Sequence, residues 1–138
     1  EESGGIAIKG HIPERDGIWM GLVLFEYMAK SGKSLEELIE EVYGLVGAFK
    51  YWRDDLHIDE KVKNAIVKKC NKDQFKSFGN YTVQSIDKTD GFKFILSDDE
   101  WLMIRPSGTE PVLRCYAESK DLKGAKDILS ACKKEIGV

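Results

Sequence analysis

No stretch of the 138-residue sequence approaches the ~20 consecutive apolar residues needed to cross a bilayer, and its opening, EESGG, is not a signal peptide. Neither sign of charge dominates. Lys+Arg total 21 and Asp+Glu 24, a net charge of −3, so the basic surplus of a duplex-DNA binder is missing. Cysteine is scarce: Cys70, Cys115 and Cys132 are an odd number, which cannot all pair within one chain and suits a reducing compartment. None lies in a C-x-x-C pair, and His11 and His57 are far apart in sequence, which argues against a zinc site. Buried thiols acting as small hydrophobes are the expectation. Also absent are a G-x-S-x-G elbow, a Walker loop and an H-E-x-x-H helix. The chain does not begin with Met and reads as the middle of something longer, so a fragment is expected.

What is present fits a folded, soluble protein: 42% hydrophobic and 33% charged residues. One domain takes ~100–150 residues, so the length allows one domain, or one with part of another. The segment 6–11, IAIKGH, alternates and reads as a strand. A helix follows, with Asp16 as N-cap and Gly32 as left-handed terminator. Ile18, Trp19, Leu22, Val23, Phe25 and Met28 leave it little polar face, so it needs cover on more than one side. Ser34 and Glu37 form a capping box for a second helix, with Leu35, Leu38, Ile39, Val42 and Val46 at helical spacing. A boundary falls near 47–51, without a long flexible linker.

Beyond it, 50–58 reads as a strand, and Asp59 caps a helix with a stripe of Val62, Ile66 and Cys70. Strands at 81–87 and 92–96 flank KTDG, whose Asp90-Gly91 is a hairpin signal. Two more, 100–105 and 112–118, flank PSGTEP. A last helix from about Asp121 turns Leu122, Ala125, Leu129, Cys132 and Ile136 inward. Antiparallel strands with helices gathered on one face make an α+β layer. The acidic clusters at 98–100 and 54–55 lack the spacing of a metal loop and read as solvated turns. Trp19, Trp52 and Trp101 sit in apolar stretches, where core packing is expected.

The sharpest chemical feature is RPSGTEPVLR, 105–114. Arg105 ends a strand, Pro106 fixes one φ, and Gly108 permits conformations other residues resist. Ser107 and Thr109 add hydroxyls, and the backbone N–H groups of 107–109 can form an anion nest. The planar fork of Arg105, with Arg114 on the return strand, suits phosphate oxygens. The bland alternative is a polar hairpin with two incidental arginines. A second feature is EESGG followed by HIPERDG. Glu1 and Ser3 offer an acceptor and a donor/acceptor suited to sugar hydroxyls, and Arg15 lies just before a helix N-terminus, where an anion is favoured.

Together, RPSGTEPVLR, EESGG and HIPERDGIW resemble the phosphate-binding loop, the sugar-recognition loop and the segment after it in the C-terminal part of the α-D-phosphohexomutases, the phosphoglucomutase/phosphomannomutase family. The resemblance covers the whole chain. It implies that residues 1–49 are the end of an α/β third domain, a strand plus two helices. Residues 50–138 would then be the fourth domain, an α+β layer of TATA-binding-protein-like fold. It implies that Glu1 and Ser3 hold sugar hydroxyls, and that Arg105, Ser107, Gly108 and Thr109 grip the phosphate not being transferred, with Arg114 and Arg15 in secondary roles.

The family shifts a phosphoryl group between the 1 and 6 positions of glucose or mannose phosphates, through a phosphoserine and a bisphosphorylated intermediate. Its serine loop and its D-x-D-x-D magnesium loop belong to domains not in this chain. Mg2+ is therefore implied for the whole enzyme with no ligands here, and the fragment alone is expected to be inactive. Gly5 stands where some dual-specificity members carry His, which leaves the hexose open. The partners implied are a hexose phosphate and the enzyme's N-terminal domains, in the cytoplasm, without nucleic acid or membrane. A stand-alone, non-catalytic phosphosugar-binding module is the rival reading.

Overall fold

The computed structural model describes residues 5–138. The chain divides into two compact units, meeting in sequence between Val46 and Gly47.

The first unit carries α1 (Gly17–Ser31) and α2 (Leu35–Val46). Asp16 caps α1 by accepting the Trp19 N–H at 2.9 Å, and Gly32, at φ +67°, donates its N–H to Met28 O. That amide bond, then His11, holds the Asp16 carboxyl below its ordinary range. At α2 the Ser34 N–H donates to Glu37 Oε2 at 2.7 Å, and the Glu37 N–H to Ser34 Oγ at 3.3 Å, the expected reciprocal box. The strand expected at 6–11 does not form. Gly10, at φ +97°, turns the chain, and the His11 N–H bonds back to Ile8 O. With no strand among the described residues of this unit to pair with, only an isolated Lys9–His11 bridge remains. The helices bury only Met20 and Leu38, whereas Ile18 (83% exposed), Phe25 (69%) and Leu45 (81%) carry apolar surface uncovered.

The second unit runs β1 (Lys50–His57), α3 (Glu60–Asn71), β2 (Ser77–Phe78), β3 (Tyr81–Thr82), β4 (Ser85–Asp87), β5 (Phe92–Ile95), β6 (Trp101–Pro106), β7 (Val112–Ser119) and α4 (Leu122–Ile136). Five strands form one antiparallel sheet in the order β1-β7-β6-β5-β4. Register fixes its faces. Leu113, Cys115 and Ala117 of β7 stand opposite Pro106, Ile104 and Leu102 of β6, and the last two stand opposite Phe92 and Phe94 of β5. Residues paired across strands share a face. This face forms the core with Ile66 and Cys70 of α3 and Ala125, Ile128, Leu129, Cys132 and Ile136 of α4. Both helices therefore cover one side, as an α+β layer requires.

Several local expectations need correcting. Segment 81–87 is two strands: β3 pairs with β2, then the Gln84 N–H crosses to Ile95 O at 2.8 Å and β4 joins the main sheet. On α3 the inward stripe is Lys63, Ile66 and Cys70, and Val62 is exposed. On α4 Leu122 is exposed and Ile128 is buried; on α2 only Leu38 of the expected stripe is buried. None of the tryptophans is a core residue. Trp19 stacks on His11 (4.2 Å between ring centres), Trp52 lies at the sheet edge under Lys126, and Trp101 donates to Glu118 at 2.9 Å. Amphipathic rings favour such half-wet borders. Asp54 is no solvated turn: it lies in β1 and accepts from Lys133 of α4 at 2.8 Å.

All three thiols are buried. Burial pushes Cys70 up to about 12, and a hydrogen bond with Cys115, then burial, pushes Cys132 up. Only the thiolate is nucleophilic. Native protein at pH 8 should therefore resist iodoacetamide, whereas denatured protein should label at all three positions; rapid native labelling would contradict this burial. For an acid with a raised folded pKa, the unfolded state loses its proton first. The Cys70 contribution is thus intact below pH 9.0 and is lost as pH rises towards about 12.

Candidate phosphate-binding site

Arg105 lies in β6, one residue before the strand's end, and register sets it directly opposite Arg114 of β7. Ile104 and Cys115 face the helices, so strand alternation turns both arginines to the other face of the sheet. Each side chain is about one-third exposed, at 35%. Like charges directly opposite are unfavourable in a sheet. Here they are tempered by acids on both sides: Asp90 lies 3.4 Å from Arg105 Nε, and Glu110 lies 3.8 Å from Arg114 Nη2. Arg114 Nε is shielded from solvent and finds no hydrogen-bond partner among the described residues.

The β4–β5 turn brings Asp90 there. Gly91 has φ +90°, and a Cβ on it would sit 3.1 Å from Ile104 O and 3.3 Å from Arg105 Cβ. Only glycine lets this turn lie against the end of β6. The Arg105–Asp90 distance exceeds the ~2.7–2.9 Å of a charge-assisted hydrogen bond. It is an exposed ion pair of the kind worth ~0–1 kcal/mol. A phosphate contact to the same guanidinium, at ~1.5–3 kcal/mol, outcompetes it.

The loop joining the strands is braced from within. The Ser107 N–H donates to Val112 O at 3.0 Å, the Thr109 N–H reaches Ser107 Oγ at 3.4 Å, and the Val112 N–H bonds Glu110 O at 2.8 Å. The expected nest of three free amides is therefore reduced. The Ser107 amide closes the hairpin, the Thr109 amide leans on a hydroxyl, and only the Gly108 amide of the three has no partner among the described residues. Nor does Gly108 take a positive φ. A Cβ there would meet nothing within 4 Å, so Gly108 presents bare backbone on an open side. Beneath the loop lies Lys63, 6% exposed, bonded to Ser107 O and Glu110 O.

Arg15 lies in the first unit. It is half exposed, with Nε 3.7 Å from Glu14, and its Cδ occupies the space a Cβ on Gly5 would need, at 2.5 Å. Glu1 and Ser3 lie outside the described residues. Among the described residues, no group of three His, Cys, Asp or Glu side chains could hold a metal, and no helix is long and apolar enough to cross a membrane. Sequence reading missed Lys63 and Asp90. A signal for Lys63 existed: it falls three and seven residues before Ile66 and Cys70, on the inward stripe.

Comparison with known proteins completes the picture. Residues 54–134 match the phosphoglucomutase/phosphomannomutase C-terminal domain, and residues 1–46 match the alpha/beta/alpha domain III of the same proteins. The chain belongs to the phosphoglucomutase/phosphomannomutase family. It is 33% identical over 129 residues to a phosphoglucomutase/phosphomannomutase of Thermococcus kodakarensis, covering 94% of this chain and 26% of that protein. A probable phosphoglucosamine mutase of Methanobrevibacter smithii is 31% identical over 121 residues, 88% of this chain and 26% of the relative. A phosphoglucosamine/phosphogalactosamine mutase of Sulfurisphaera tokodaii is 31% identical over 134 residues, 97% and 28%. The chain thus spans about a quarter of the length of these curated relatives.

Proposed function

We propose that this chain forms the sugar-recognising and phosphate-clamping part of a phosphohexomutase. Arg105, the Ser107 and Thr109 hydroxyls and the Gly108 amide hold the phosphate that is not being transferred, and Arg114 backs them. Arg15 lies near the reacting phosphate, and Glu1 and Ser3 take sugar hydroxyls. A single observation carries this reading: two arginines held opposite one another at the mouth of a braced loop with an open amide. Asp90, Glu110 and Asp55, which stands across from Arg114 on β1, offset the repulsion of this pair in part, and a phosphate between the guanidiniums would offset it further.

In the full reaction, a phosphoserine outside this chain passes its phosphoryl group to the free hydroxyl of a hexose 1- or 6-phosphate. The bisphosphate turns over, and its other phosphoryl group returns to the serine. Phosphoryl transfer is mostly positioning and charge stabilisation, so a remote clamp serves it by orienting the sugar. The described residues gather no carboxylate set that could hold a magnesium ion. The uncovered apolar surface of α1 and α2 supports a partner layer from the rest of such an enzyme.

The substrate class is a hexose or hexosamine phosphate, since relatives are named for both. Titration of the chain with glucose 1-phosphate, mannose 1-phosphate, glucosamine 1-phosphate and inorganic phosphate tests this. Weak binding, about 1 mM, is expected because one grip replaces a closed cleft. All four ligands should bind within a few-fold, and the chain alone should show no turnover. Unaided turnover, or no binding of any phosphate, would refute the assignment.

A further inference from the structure

We infer that Lys63 is the positioning residue of the anion loop: it turns the Gly108 amide outward. The inference rests on the reading of 105–109 as a phosphate clamp. A buried ammonium is costly unless its donors are matched. Lys63 matches them with Ser107 O at 3.2 Å, Glu110 O at 3.0 Å and Glu60 Oε2 at 2.9 Å. Two of these acceptors belong to the loop, 44 and 47 residues away in sequence.

The consequence follows from peptide geometry. In a planar trans peptide, the C=O of one residue and the N–H of the next point in opposite directions. Lys63 draws the Ser107 carbonyl down towards α3, so the Gly108 N–H of the same unit points up and away from it. The Gly108 N–H has no partner among the described residues, and the Cβ side of Gly108 is open as well, with nothing within 4 Å of a Cβ built there. At the other flank, Glu110 O accepts from both Lys63 and the Val112 N–H, which fixes the return of the loop. Without Lys63 the 107–108 peptide is free to flip and offer a carbonyl, which repels an anion. The lysine therefore acts on the anion through the backbone, without touching it.

The test uses the 138-residue chain and inorganic phosphate, read by NMR on the folded population, so that lost affinity is separate from lost stability. Lys63→Met should move the Gly108 amide resonance and weaken phosphate binding about fivefold or more, the effect of one misplaced hydrogen bond. A folded Lys63→Met chain with unchanged affinity overturns the inference. Should that variant not fold, the unaltered chain still decides. Phosphate should shift the Lys63 Nζ signal with the same midpoint as the Gly108 amide, and a Lys63 signal that stays still while Gly108 moves overturns the inference alone. Failure of phosphate to shift Gly108 at all overturns the clamp reading as well.

Discussion

Replacing Arg105 with alanine lowers the affinity of the chain for inorganic phosphate and for hexose phosphates alike, by about 10–100-fold. The size follows from the ~1.5–3 kcal/mol of a charge-assisted hydrogen bond, at about 1.4 kcal/mol per factor of ten. Among the described residues Arg105 pairs with Asp90, at 3.4 Å, and that exposed pair contributes little to folding. Arg105→Ala should therefore leave the melting temperature within a few degrees of the parent, separating binding from stability. Arg105→Lys keeps the charge and loses the planar fork, so it should fall between the two. Isothermal titration against inorganic phosphate reads the series. Equal affinities across it would remove Arg105 from the site.

Phe94→Ala has the largest expected effect on stability. The Phe94 side chain is completely buried on the sheet's inner face, in β5. It meets Phe78 edge-on at 5.0 Å and Phe75 at 6.3 Å, in an aromatic cluster beneath the helices. Removing a buried phenyl costs about 3–5 kcal/mol, from lost transfer energy and the cavity left behind. A domain of this size has about 5–15 kcal/mol in total, and each kcal/mol moves the midpoint by about 4–8 °C. Thermal unfolding should thus fall by more than ~12 °C, whereas Phe94→Leu, which keeps most of the volume, should cost far less. A drop of only a few degrees in Phe94→Ala would mean the cluster is not the structural centre of the unit.

Sequence and structure agree where the cause is local. Asp16, the Ser34/Glu37 box, Asp59 and Asp121 each cap the helix expected of them, because capping needs only a side chain and an amide a few residues apart. The Asp90-Gly91 turn was legible for the same reason. What failed was non-local. Residues 6–11 have the alternation of a strand, but the described part of their unit offers no pairing partner. Tyr81–Asp87 looks continuous, but it pairs first with β2 and then with β5.

The candidate site follows the same division. Arg105 and Arg114 could be picked out by residue type, and strand register alone explains why they stand opposite each other. Lys63 could not be read as a loop brace, because its role depends on how α3 lies under a turn more than forty residues away. Asp90 was visible as a turn residue, but its neighbour Arg105 appears only when β5 pairs with β6.

Chemical-shift mapping of inorganic phosphate onto the intact 138-residue chain tests the central claim most directly. The account predicts saturable shifts at the Gly108 and Thr109 amides and at the Arg105 and Arg114 side chains, lost together in Arg105→Ala. Shifts confined to other surfaces, or an unmoved Gly108 amide at saturating phosphate, would contradict it.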